Sequence, residues 1–141
     1  MDYEHIFAIS AAGMSAEKTR VQVAALNIAN AQTVATNGTN AYQPLKVVAR
    51  AVATPAFGSI VDSALSMRPL VDVVPDQSPP RQVYDPSNPL AGKDGFINYP
   101  GVDNIGEMVR LMSATRAYES NVVAFNAAKS LAIKTLEIGG A

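Results

Sequence analysis

Proline sets the outline of this chain. Residues 2 to about 30 contain none, residues 31 to about 103 hold all nine, and residues 104 to 138 again contain none. A proline costs about 3 kcal/mol in a helix interior, so both ends are free to form long helices and the middle is not. The chain therefore reads as three parts: an N-terminal coiled-coil helix in residues 1–33, a loop- and β-rich middle segment in 34–103, and a C-terminal coiled-coil helix in 104–141. The expected fold class is mainly α, with the two terminal helices paired and a small β-rich insert between them in sequence. A length of 141 residues suits one domain.

The first helix shows a seven-residue recurrence, Phe7, Met14, Val21 and Ile28, with Ala11, Lys18 and Ala25 at the same spacing between. Seven is the coiled-coil period. Gly13 reads either as a place where another helix approaches closely or as plain tolerance. Asn30 is the expected stop, because asparagine accepts the left-handed conformation. In the last helix Met108, Leu111, Thr115, Tyr118, Val122, Phe125, Lys129, Ala132 and Leu136 follow alternating steps of three and four. Asn104 is the expected N-cap, with Glu107 three residues on. Gly139-Gly140 is the expected end, with Lys134 near the negative pole of the helix. A helix of this length runs to about 50 Å and cannot bury its stripe on its own middle segment. It needs the N-terminal helix and further copies of the chain.

The middle reads as three short strands, Tyr42 to Ala53, Met67 to Val74 and Gln82 to Tyr84. Turn clusters follow at Asp76 to Pro80, Asp85 to Pro89 and Gly92 to Gly95. Thr33 to Asn40, rich in Asn, Thr and Gly, reads as a mobile connector.

Composition narrows the chemistry. Eleven basic and twelve acidic residues give a formal charge of −1, so nucleic-acid binding by phosphate neutralisation is not expected. Cysteine is absent and His5 is the one histidine, which removes thiolate chemistry and makes zinc improbable. The phosphate-binding and nucleophile motifs G-x-x-x-x-G-K-[ST], G-x-G-x-x-G after a strand, G-x-S-x-G and H-E-x-x-H do not occur. Asp72, Asp76 and Asp85 could pair as acid and base or hold a hard cation, but they read equally as solvated loop acids. Neither a cofactor, a metal nor a small-molecule substrate is expected, and the chain is not read as an enzyme. Its N-terminus, Met1 to His5, lacks a basic region and apolar run, so a route without a cleaved signal peptide is expected.

Interaction chemistry remains. Charged residues are only 16%, which leaves the outer faces adhesive. Alanine pairs such as Ala24-Ala25 and Ala127-Ala128 permit close helix approach. Asn27, Asn30, Asn121 and Asn126 border the stripes, where a buried asparagine sets register and a solvent-facing one does nothing.

The stretch Ser10 to Thr33, SAAGMSAEKTRVQVAALNIANAQT, with N-I-A-N at Asn27 to Asn30, resembles the N-terminal signature of bacterial flagellar axial proteins, the rod, hook and hook-associated family. The C-terminal stretch resembles the same family through Y-D-P-S-N-P-L from Tyr84, G-F-I-N-Y-P from Gly95, S-A-T-R-A-Y-E-S-N from Ser113 and N-A-A-K-S from Asn126. Residues 34 to 83 match weakly, and the length suits the short proximal rod subunits.

The resemblance implies a structural subunit of the basal-body rod, exported unfolded by the flagellar type III apparatus into the periplasm. Its terminal helices would pair on assembly into a hollow shaft that carries torque from motor to hook. The implied partners are other copies, other rod proteins, and the membrane-ring and rod-adaptor proteins. The expected interface residues are Phe7, Met14, Val21, Asn27, Ile28, Asn30, Met108, Leu111, Tyr118, Val122, Phe125 and Leu136. The alternatives are another short rod subunit of the same family, a helical adaptor that saturates with one partner, and a hydrolase using the three middle acids.

Overall fold

The computed structural model describes residues 3–34, 42–50 and 70–139. The element order is α1 (Tyr3–Asn30), β1 (Leu45–Arg50), β2 (Leu70–Pro75), β3 (Arg81–Tyr84), β4 (Phe96–Tyr99) and α2 (Asn104–Gly139). The fold is mainly helical, with a small strand-containing middle. The helices, 28 and 36 residues long, occupy the proline-free ends. Ala51 to Ala53, Met67 to Pro69 and most of the Thr33 to Asn40 connector lie outside the described residues.

Contacts divide the chain into two compact units. The first comprises Met1–Thr19, Val48–Asp72 and Ser113–Ala141. The second comprises Arg20–Val47 and Val73–Met112, so each long helix contributes to both.

The strands form two separate two-stranded sheets, β1 with β2 and β3 with β4. β4 was not expected as a strand. It is only four residues long, and its status comes from antiparallel pairing with β3, in the register Arg81 to Tyr99, Gln82 to Asn98, Val83 to Ile97 and Tyr84 to Phe96. Alternation places Val83, Ile97 and Tyr99 on one face, where Ile97 is fully buried. The Arg81 guanidinium sits over the Tyr99 ring at 5.2 Å. On the other face Tyr84 and Phe96 meet edge to face at 5.2 Å between ring centroids and stay exposed.

Two glycines make this hairpin and its exit possible. Gly95 has φ +72°, and a Cβ there would meet the Tyr84 ring at 2.9 Å. At Gly101 a Cβ would meet the Pro79 carbonyl oxygen and carbon, so this backbone runs directly against the lead-in to β3. α2 then starts one residue earlier than the sequence suggested. Asp103, not Asn104, is the N-cap: its Oδ1 accepts from Ile105 N at 3.1 Å, and its carbonyl accepts the first helical bond from Glu107 N at 2.9 Å. Glu107 instead accepts from Arg110 Nη1 at 2.6 Å. Lys134 lies outside the last turn of α2, which holds no basic residue.

The Gly95 geometry yields a test. Gly95→Ala is expected to destabilise the folded chain by about 1–3 kcal/mol, read as a lowered urea midpoint. Gly101→Ala should cost more, because the obstructing atoms are backbone. Unchanged midpoints for both would contradict this packing.

Candidate assembly surface

Helix α1 satisfies its own backbone, which leaves its side chains to organise the neighbouring segments. Asn27 is fully buried in the second unit. Its Nδ2 donates to Leu45 O at 2.8 Å, while Leu45 N donates to its Oδ1 at 2.9 Å. The Tyr42 hydroxyl donates to the same Oδ1 at 2.8 Å. The side-chain amide thus pairs with both backbone groups of Leu45 as a neighbouring strand would, and it fixes where β1 begins. Burial, with the Glu107 charge adding to it, pushes the Tyr42 phenol above the usual tyrosine range. The hydroxyl therefore remains a donor.

Asn30 does end α1, but not through a left-handed residue, since no described non-glycine residue has positive φ. Its Nδ2 turns back to Leu26 O at 2.9 Å. Its carbonyl accepts from Thr33 N at 3.1 Å and Thr33 Oγ1 at 2.7 Å.

In the first unit the N-terminal part of α1 packs antiparallel against α2. Phe7 meets Phe125 with ring centroids 5.1 Å apart, and Gly13 faces Asn121. A Cβ at Gly13 would stand 3.0 Å from Asn121 Nδ2, so of its two readings the close helix approach is the one seen.

The residues fully covered within one chain are small. Among the described residues the buried apolar set is Ala16, Val23, Ala24, Ala31, Ile97, Ala114 and Ala128. Five of these seven are alanine, so few large apolar side chains are fully covered. On α2 the buried positions Glu107, Ala114 and Ala128 stand at multiples of seven. Ser10 and Ala24 on α1, with Ala31 just past its end, do the same. The seven-residue period is present, but the covered line on α2 lies one residue before Met108, Thr115, Val122 and Lys129.

The expected interface residues sort accordingly. Asn27 is buried, and Phe7, Met14, Val21, Ile28, Asn30, Leu111, Val122 and Phe125 are half-buried. Met108 is 55% exposed and Leu136 75%, and Tyr118 is also exposed. The sequence places Ile105, Met112 and Ile133 beside the main α2 stripe, but a separate apolar line through Val109 and Val123 was missed. Ile105, Val109, Met112 and Val123 fall about half a turn around the helix from Ala114 and Phe125. All four are exposed, Ile105 at 76% and Val123 at 68%. The i, i+4, i+7 spacing of 105, 109 and 112 was the available signal. In all, ten large apolar side chains of α2 remain exposed.

The middle acids each serve a local contact. Asp72 Oδ2 pairs with Arg50 Nε at 2.9 Å. Asp76 accepts from Ser78 Oγ at 3.0 Å and pairs with Lys46 Nζ at 3.4 Å. The Ser78 bond leads in holding its carboxyl below the ordinary range. Asp85 Oδ1 accepts from Ser87 N and Oγ, closing a turn. Among the described residues, no group of three or more His, Cys, Asp or Glu could hold a metal ion.

The clasp is testable. Asn27→Ala removes three hydrogen bonds and leaves both Leu45 backbone groups without that partner. The expected loss is about 2–4 kcal/mol, read by urea unfolding. Asn27→Asp should also destabilise, because it turns the donor facing Leu45 O into an acceptor. A neutral result for both would contradict the assignment.

Comparison with known proteins places this arrangement. A family model described as the flagellar basal body rod FlgEFG protein C-terminal matches residues 93–138. The chain is 38% identical over 135 residues to the flagellar basal-body rod protein FlgC of Escherichia coli O6:H1, covering 96% of each. It is 37% identical over 137 residues to the FlgC of Salmonella typhimurium, again covering 96% of each. Against the FlgC of Bacillus subtilis it is 35% identical over 145 aligned positions, covering 96% of this chain and 97% of that one. With paired terminal helices, a strand-containing middle and relatives matched along nearly its whole length, the chain belongs to the FlgC family of flagellar basal-body rod proteins.

Proposed function

We propose that this structural rod subunit polymerises through its terminal helices into the hollow shaft that transmits torque from the motor to the hook. One observation carries the reading: ten large apolar side chains of α2 are exposed while the buried apolar set among the described residues is mostly alanine. Full burial of such a side chain is worth about 1.5–3 kcal/mol relative to exposure. Ten partly exposed ones therefore offer on the order of 10 kcal/mol per subunit. That is comparable to the cost of association, about 4–15 kcal/mol. Contacts that repeat head to tail without closing generate a helical filament.

In this reading residues 1–33 and 104–141 form the shaft wall. Met108, Tyr118 and Leu136 meet neighbouring subunits, and the half-buried Phe7, Met14, Val21, Ile28, Leu111, Val122 and Phe125 complete the seams between helices. Asn27 and Asn30 hold the end of α1 in place for those contacts. The immediate partners are copies of the chain and other rod proteins, with the membrane-ring and rod-adaptor proteins beyond them. The subunit reaches the periplasm through the flagellar type III apparatus without a cleaved signal peptide. It performs no catalysis. No described helix is long and apolar enough to cross a membrane.

Val123→Asp and Ile105→Asp test the reading. Both side chains are exposed, so the isolated subunit should keep its circular dichroism and urea midpoint. Incorporation into basal bodies and swimming in soft agar should be lost. Normal incorporation of both variants would overturn the proposal, as would sedimentation that saturates at a fixed small stoichiometry.

A further inference from the structure

Sulfur chemistry in this chain is confined to thioethers, because it has five methionines and no cysteine. Of the three described methionines, Met14 is half-buried on α1, while Met108 and Met112 are each 55% exposed on α2. Those two stand one helical turn apart, so their side chains are neighbours on the helix surface. With Ile105 and Val109 they complete an i, i+3, i+4, i+7 patch. It lies about half a turn around α2 from the buried Glu107 and Ala114. Ile105 is 76% exposed and Val109 61%. Half of this patch is therefore methionine, which is apolar as a thioether and polar once its sulfur carries an oxygen.

We propose that Met108 and Met112 form a reversible oxidation site, open to peroxides in the free subunit and closed to them in the rod. The O–O bond of hydrogen peroxide breaks and one oxygen bonds to the thioether sulfur. The sulfur is oxidised by two electrons, and the other oxygen leaves as water with both protons. Each sulfoxide puts a strong acceptor on a face that docks through apolar contact. Burying that oxygen without a donor weakens docking on the order of tenfold per residue. The site deepens the polymerisation reading and rests on it, because the contact that covers the patch also shields its sulfurs. In the periplasm, an oxidising compartment, a subunit awaiting assembly is open to the reaction and an assembled one is not. Enzymes of the methionine sulfoxide reductase class reverse the step, and an exposed helix face is within their reach.

Hydrogen peroxide on the full-length subunit, followed by peptide mass spectrometry, tests this. Met108 and Met112 are expected to gain one oxygen each in the free subunit and to react at least about tenfold more slowly in purified basal bodies. Association, read by sedimentation of the concentrated subunit, should fall at least about tenfold after oxidation. A methionine sulfoxide reductase should restore it. In Met108→Leu with Met112→Leu, the peroxide-treated protein should stay within about twofold of its own untreated sample. Resistance of both residues to peroxide in the free subunit overturns the proposal. So does association of the fully oxidised chain at the untreated level, or an equal loss in the leucine variant. The rod reading is separable, since Ile105→Asp and Val123→Asp test it without an oxidant.

Discussion

The close approach of two helices through side chains of little bulk governs this molecule. Gly13 brings α1 against Asn121, and Ser10, Ala16, Ala114 and Ala128 fill the covered positions nearby. Phe7 and Phe125 add the larger contact beside this seam. Ten large apolar residues of α2 stay exposed outside it. A helix with apolar residues on opposed faces belongs inside a larger body. For a rod protein, that body is the wall formed by its neighbours.

Directional bonding does the complementary work. Asn27 places a side-chain amide where a strand would otherwise be needed, and it ties Leu45, eighteen residues away, to the end of α1. Its neighbours Tyr42, Glu107 and Arg110 add polar contacts in the same unit. Apolar contact sets how much the chain gains from company. Hydrogen bonds set how the end of α1 and the start of β1 are held together.

Much of the fold was legible in the sequence because proline acts locally. Its confinement to the middle was enough to place α1 and α2. The seven-residue period was legible too, but periodicity fixes spacing and not which line faces inward. That choice depends on how closely the helices approach, and the small line at Glu107, Ala114 and Ala128 won over the bulkier one beside it. The cap moved from Asn104 to Asp103 because both are good capping residues and only backbone geometry separates them. β4 escaped notice because it follows directly on the Gly92 to Gly95 turn cluster and is defined by its pairing with β3. Asn27 stood out as a polar residue bordering an apolar stripe, yet its partner lies beyond a proline-containing connector, where local pattern is silent.

The chain contains no cysteine, so a single introduced thiol reports one position without background. Val123→Cys sits on the outward face of α2, and its rate of thiol alkylation can be compared in the free subunit and in purified basal bodies. Coverage of that face by neighbouring subunits predicts fast labelling when free and labelling slowed at least about 100-fold after assembly. Equal rates in the two states would mean that the outward face stays in water, and would contradict assembly through it.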